Sequence, residues 1–170
     1  MAAICPTDWQ RYGESCYLLI TKRLNWQDAN DTCFKYQRST LAVANSQTEQ
    51  TFIWITFNDL FEWAPVVSLW IGCNDIRQEG KWEPCPLKDD LTRYNNWGVL
   101  YPRNNISKNC AIMGKWANGK WFDVDCDIKR NIVCELPAEA TAPVFSLQTG
   151  PDGRVESQCL VGHVITLAQD

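Results

Sequence analysis

Apolar and polar positions change their period as the chain advances, and each change marks a new element. From Cys5 to Ile20 the residues around Tyr12-Gly13 read as a short hairpin, with Tyr17, Leu18 and Leu19 feeding a core. The spacing then becomes helical: Trp26, Ala29, Cys33 and Tyr36 or Gln37 share a face, Asn25 stands as the N-cap and Asp28 lies in the first turn. The polar run Gln37-Arg38-Ser39-Thr40 ends that helix. Ser46-Gln47-Thr48-Glu49 is a capping box that opens a second helix, with Phe52, Ile53, Ile55 and Leu60 facing inward and Pro65 marking its latest end. Leu69-Trp70-Ile71-Gly72-Cys73 is a short apolar run bounded by turn residues, which predicts a buried strand. Asn118-Gly119 predicts a two-residue hairpin turn between strands at 109–117 and 120–127, placing Cys110 opposite Asp127. Asn131-Ile132-Val133-Cys134 is the last strand of the pattern.

The composition shifts after Glu135. Residues 137–143 are small and Pro-bracketed, as a linker would be, and 144–170 form a tail too short to bury much core alone. The domain is therefore expected at 1–136. The net charge of −4 argues against a general nucleic-acid binder, and no apolar run approaches the length that spans a bilayer.

Nine cysteines change the picture most. No Cys-x-x-Cys pair is present and the single histidine, His163, lies in the tail, so zinc spacing is absent. Disulfides in an oxidising compartment are the better reading, and the sequons at Asn30 and Asn105 fit it. The start, Met1-Ala2-Ala3-Ile4-Cys5, lacks the basic and apolar regions of a signal peptide. The expectation is a secreted protein, or the extracellular part of a cell-surface one, seen as a piece of a larger chain.

Sequence alone does not fix the pairing, but turns narrow it. Asn118-Gly119 brings Cys110 within reach of Cys126, Gln78-Glu79-Gly80-Lys81 centres Cys73 and Cys85, and Cys5 and Cys16 flank the first hairpin. Cys33, Cys134 and Cys159 remain. A Cys33–Cys134 bridge would close a loop of about 100 residues, worth on the order of 4–5 kcal/mol in the chain-entropy model, and leave Cys159 unpaired.

Cys16-Tyr17, Trp26-Gln27-Asp28-Ala29 with Cys33, Trp70-Ile71-Gly72, Glu79-Gly80-Lys81-Trp82, Asn96-Trp97, Asn109-Cys110, Trp121 before Asp123, Cys126 and Cys134-Glu135 stand here in one order. In that order they resemble the C-type lectin-like domain in its long form. The resemblance covers about Cys5 to Leu136. It implies an α+β fold, with two helices packed on small antiparallel sheets, a long loop region and disulfide staples. It also implies the bridges Cys33–Cys134, Cys110–Cys126 and Cys5–Cys16, in agreement with the turn argument, and Cys73–Cys85 is an addition to its common pattern. Trp70, Trp82, Trp97 and Trp121 are expected in the core. The tail stretch Cys159 to Ile165 resembles the opening of a PAN/apple-type module; the alternative is a tail with a free or intermolecular thiol.

Sugar-binding members of the family hold calcium with oxygen ligands from Glu-Pro-Asn or Gln-Pro-Asp, from a Glu before the Asn/Asp-Cys pair, and from Trp-Asn-Asp. The matching positions here are Tyr101-Pro102-Arg103, Lys108 and Trp121-Phe122-Asp123. Only Asp123 keeps a suitable oxygen, while Arg103 and Lys108 bring positive charge to the cation's place. The sugar-coordinating calcium site is thus expected to be lost. The resemblance also implies that Pro102 is cis. An auxiliary calcium position would match Asp75, Glu79, Asn104 and Asn109; the competing expectation, carried forward, is that Glu79 pairs with Lys108 or Arg103 and no metal or other cofactor binds.

The ligand-binding residues expected from this reading are Tyr101, Arg103, Asn104, Lys108, Phe122 and Asp123. The function expected is recognition, of a protein or of an anionic or neutral glycan, without calcium. The alternative is a lectin that uses calcium in an altered way or stacks sugar on Tyr101 and Phe122. Catalysis has little to stand on, because the cysteines are committed to bridges and the paired carboxylates Asp89-Asp90 sit on a polar loop.

Overall fold

A computed structural model describes residues 3–60, 68–140, 145–149, 155–159 and 163–165. The chain divides into two compact units: Cys5–Pro137, and Met1–Ile4 with Ala138–Asp170. In chain order the elements are β1 (Ala3–Ile4), β2 (Gln10–Tyr12), β3 (Ser15–Leu24), α1 (Trp26–Lys35), β4 (Thr40–Leu41), α2 (Gln47–Leu60), β5 (Ser68–Asn74), β6 (Cys110–Gly114), β7 (Lys120–Val124), β8 (Arg130–Pro137), β9 (Glu139–Ala140), β10 (Phe145–Thr149), β11 (Val155–Cys159) and β12 (His163–Ile165).

The larger unit is built on one sheet of order β2-β3-β8-β5-β6-β7, with β4 also paired to β8. All its pairs are antiparallel except β5 with β8. The central strands are buried on both faces, which is why β5 reads as a continuous apolar run rather than an alternation. Successive residues of β5 serve two cores: Leu69, Ile71 and Cys73 join Tyr17, Ile53, Met113, Trp97 and Trp121, while Trp70 joins Trp26, Ala29, Cys33, Ile112 and Ile132.

Both helices start as the sequence suggests. The Asn25 side chain accepts from the Asp28 amide at 2.8 Å, and the Ser46 hydroxyl accepts from the Glu49 amide at 3.1 Å. The second half of the capping box differs, because the Glu49 carboxylate reaches back to the Asn45 amide instead of the Ser46 amide. Trp26, Ala29 and Cys33 are buried as expected, but Tyr36 and Gln37 are exposed. Tyr36 caps the helix, and Gln37 and Arg38 turn left-handed to leave it, so the helical period stops one turn early. Ile55 is exposed on α2, whose inner face is Gln50, Ile53 and the half-buried Phe52 and Trp54. Position 65 and the Leu60 side chain lie outside the described residues.

Between the start of α2 and β8 the fold gathers a buried and a half-buried carboxylate, Glu49 and Glu135, around one hydroxyl. Tyr17 donates to Glu49 and also approaches Glu135 at 3.3 Å. Glu135 further accepts from the Ser15 hydroxyl at 2.8 Å and the Val43 amide at 3.1 Å. Burial raises the proton affinity of Glu135, and burial with the Glu49 contact raises that of Tyr17.

Four disulfides close the larger unit: Cys5–Cys16, Cys33–Cys134, Cys73–Cys85 and Cys110–Cys126. The Cys110–Cys126 bridge forms although the hairpin register differs from the two-residue turn. Gly114 pairs with Lys120 and Cys110 with Val124, not Asp127. The extra residues form a single 3-10 turn at Lys115–Ala117, closed by Asn118 and Gly119 at φ 52° and 80°. Gly114 makes room for it, since a Cβ there would lie 2.9 Å from the Trp116 ring.

In the other unit Ala3–Ile4, read as domain, pair with Glu139–Ala140, read as linker. Strands β10, β11 and β12 form a three-stranded antiparallel sheet, with Cys159 opposite Phe145 and His163. The Cys159 side chain lies outside the described residues.

Candidate functional site

The long loop between β5 and β6 is pinned by tryptophans. Trp97 is buried and its indole donates to the Pro86 carbonyl at 3.0 Å; Trp82, also buried, donates to Asn104 Oδ1 at 3.2 Å. Trp121 in β7 is fully buried and donates to Gln50 Oε1 of α2 at 2.9 Å. The other end of the Gln50 amide donates to the Gly119 carbonyl at 3.0 Å. One helix side chain thus fixes the hairpin that carries Phe122 and Asp123. Burial holds the Tyr94 hydroxyl up to about 12 where its ring meets Trp121. The indole ends are satisfied and the rings packed, so these tryptophans are scaffold.

On that scaffold stand the rim residues. The Tyr101–Pro102 peptide is cis, as the resemblance implies, and so is Glu83–Pro84. Tyr101 meets Phe122 edge-on with centroids 4.7 Å apart, and Phe122 meets Trp116 at 5.3 Å. The Arg103 guanidinium lies 4.5 Å from the Tyr101 ring centroid. Its backbone amide donates to Asp123 Oδ1 at 3.0 Å. Tyr101, Arg103, Phe122 and Asp123 are therefore brought together, and Trp116 completes a ladder of three rings capped by a cation. Asn104 turns away to receive Trp82, at φ 50°. Lys108 is half-buried, its amide donating to the Asn105 carbonyl at 2.6 Å.

Behind Asp123 lies a second cluster. Asp75 and Asp123 are 2% and 1% exposed. Asp75 Oδ2 accepts from the Gly80 amide at 2.8 Å, but Asp75 Oδ1, Asn109 Oδ1 and Asp123 Oδ2 are buried with no partner. The proton affinity of Asp75 is raised by burial and by Asp123, and that of Glu79 by burial and by both aspartates. The ion pair expected between Glu79 and Lys108 or Arg103 does not form: among the described residues the one ion pair is Lys81–Glu83, at 3.4 Å. Arg103 instead lies over the Tyr101 ring.

The two calcium positions implied by the fold family differ in fit. At the sugar-coordinating one, rings occupy two ligand places and the Asp123 oxygen nearest the loop is taken by an amide, so the residues do not fit the ion. At the auxiliary one, expected from Asp75, Glu79, Asn104 and Asn109, Asn104 Oδ1 is taken by the Trp82 indole, while the unpartnered oxygens of Asp75 and Asn109, joined by Asp123 Oδ2 from the other position, are hard donors suited to a divalent cation. Among the described residues no three His, Cys, Asp or Glu side chains converge to make a cage by themselves. Any ion there would need the Asn109 amide and further oxygens.

The sequons differ in setting. Asn105 is exposed on the loop and its Oδ1 accepts from the Ser107 amide at 3.1 Å and hydroxyl at 2.9 Å. Asn30 is half-buried on α1, where the Thr32 hydroxyl donates to the Asp28 carbonyl at 2.7 Å.

The fold and this loop agree with what the chain is similar to. Residues 22–136 match the lectin C-type domain. The chain belongs to the C-type lectin family. It is 31% identical over 140 residues to mouse C-type lectin domain family 6 member A, covering 80% of this chain and 62% of that protein. It is 31% identical over 145 residues to lectin BRA-3 of Megabalanus rosa, covering 82% and 83%. The structure of C-type lectin CEL-I from Cucumaria echinata superposes with a TM-score of 0.69 at 26% identity, over 79% of this chain and 99% of that one. Against the mouse relative the chain thus spans less than two thirds of the length. C-type lectin domains bind ligands and are not enzymes, and no helix among the described residues is long and apolar enough to cross a membrane.

Two residues of this site had escaped the sequence. Gln50 carries no signal, since a lone amide on an amphipathic helix reads as surface. Trp116 did carry one: it stands immediately before the turn Ala117-Asn118-Gly119, where a side chain has little core to enter.

Proposed function

We propose that this chain is a calcium-independent recognition domain of an extracellular protein, which meets its ligand directly at the Tyr101–Arg103–Phe122 rim. The supporting observation is the ladder itself. Rings and a guanidinium stack on one another where the family's sugar-bound calcium would require free oxygens, and Asp123 Oδ1 is engaged by the Arg103 amide. Aromatic faces and a stacked guanidinium are effective contact groups for protein or glycan without a bridging ion. Arg103, exposed on the rim, favours ligands that carry negative charge. A glycan on Asn105 would border this face and limit the approach to it. The test is binding to glycan and receptor arrays with and without a chelator, beside an Arg103→Ala variant. Binding that persists in chelator and falls in the variant supports the reading; complete loss in chelator sinks it.

A second reading is favoured by the three unpartnered oxygens of Asp75, Asn109 and Asp123. There a calcium ion would be structural support for the loop, held by oxygens behind the rim. Calorimetric titration of calcium into wild type and Asp75→Asn distinguishes the two. Heat that the substitution abolishes supports the ion, and its absence in wild type removes it.

A further inference from the structure

The turn in front of the rim holds an unusual backbone. The Tyr101 amide donates to the Gly98 carbonyl at 3.1 Å, closing a turn with Val99 and Leu100 at its tip. Leu100 has φ 64°, the left-handed region that Gly or Asn normally fills at this place in a turn. The fold does not repay that strain by burying the side chain: Leu100 is 81% exposed and Val99 85%. A strained backbone that holds an apolar pair out in water points toward a use for the pair outside the fold. Gly98 lets the turn lie directly on the ring ladder, since a Cβ there would come 2.8 Å from Phe122. Trp116 at the far end of the ladder is 57% exposed.

Resting on the reading of this rim as the contact face, we propose that its ligand is a protein, and that Val99–Leu100 is the anchor. The partner surface carries an apolar cleft that takes the Leu100 knuckle, with a carboxylate at the cleft's edge for Arg103. Three observations favour a protein over a saccharide. Aliphatic side chains gain from leaving water only in an apolar cleft, which a hydroxyl-rich sugar does not supply. Tryptophan, tyrosine and arginine beside such a knuckle are the residue types that dominate protein interfaces. The Arg103 guanidinium is already stacked on Tyr101 and has no carboxylate within ion-pair distance among the described residues, so its N–H edge is free for one supplied in trans.

The experiment uses the full chain, tetramerised through a terminal tag, against a defined array of extracellular protein domains and a glycan array, with and without chelator. The variants are Leu100→Gly and Arg103→Ala. Glycine relieves the left-handed backbone, so Leu100→Gly keeps or raises the melting midpoint while removing the anchor. The proposal expects an identified protein domain bound in chelator, with at least about tenfold weaker binding for each variant. It is overturned if protein binding survives Leu100→Gly within about twofold, if only glycans are bound, or if no protein domain on the array is. Glycan binding in chelator that is lost in Arg103→Ala would overturn the protein anchor and leave the calcium-independent rim standing. Loss of all binding in chelator would overturn the rim reading itself.

Discussion

Gln50 offers the sharpest test of how the scaffold holds the rim. Replacing it with Leu keeps the volume and the helix propensity of the site but removes the acceptor for the Trp121 indole. Trp121 is fully buried, so its N–H has no water to turn to. A buried donor left unpaired costs about 1–3 kcal/mol. The Gly119 carbonyl is not orphaned in the same variant, because the Asn96 side chain also donates to it at 3.1 Å. The loss is thus that of one orphaned donor, and Gln50→Leu should cost about 2 kcal/mol. Gln50→Ala adds a cavity and should cost about 3–4 kcal/mol. Urea unfolding with the disulfides intact measures both. With a slope of about 2 kcal/mol/M, the midpoint of the Leu variant falls by about 1 M at unchanged slope. Hydrogen exchange in 120–124 should accelerate alongside, because the lost contact is the one that ties β7 to α2. A Leu variant within about 0.5 kcal/mol of wild type would show instead that the indole finds another partner at no cost.

Other outcomes follow from the same geometry. Glu135 has its proton affinity raised in the folded state by burial, so its contribution to stability is fully present below the ordinary glutamate value and is lost as pH rises through the raised folded value. Glu135→Gln should accordingly flatten the decline in melting midpoint as pH rises above 4.5, and an undiminished decline counts against the assignment. Gly98→Ala drives a Cβ into Phe122 and should displace the ring ladder, weakening array binding while the far-ultraviolet circular dichroism is unchanged. Expressed in a glycosylating host, the chain should carry a glycan at Asn105, read as a mass shift that Asn105→Gln removes. Opening Cys33–Cys134, which spans 101 residues, should cost more than opening Cys110–Cys126, which spans 16, by about 1.6 kcal/mol in the chain-entropy model; equal midpoints for the two variants would contradict it.

The sequence carried much of the fold because its signals are local. Asn25, Ser46 and the apolar run from Leu69 to Cys73 act within a turn or a strand of themselves, and the structure places all of them as expected. The hairpin at Asn118-Gly119 is wider than its dipeptide implies, with Lys115–Ala117 inserted before it as a 3-10 turn. The dipeptide does adopt positive φ, but what sets the register is Trp116 folding over Gly114, a contact that no turn rule contains. The exposed face of Ile55 has a similar cause: Gln50 takes the inner place, and an amide buried for the sake of a distant indole looks polar in any periodic pattern. The rim residues Tyr101, Arg103 and Phe122 were visible as departures from a family motif, and Asp123 as the one ligand position that keeps its carboxylate. Their stacking was not, and neither was the Leu100 strain, since φ is a property of the closed turn rather than of the residue.

Asp123 faces two ways. One oxygen fixes the amide of Arg103, and the other is buried without a partner, on a carboxylate within electrostatic reach of Asp75. The carboxylate is therefore a mechanical link between a surface that touches the outside and a pocket that would hold positive charge. A cation on the inner oxygen would change the strength with which the outer one holds the loop. Linkage then runs in both directions: a ligand that tightens the loop must also change the pocket's grip on its occupant by the same factor. A calcium affinity that changes when ligand is bound would be the signature, and the coupling should vanish when Asp123 is replaced by Asn.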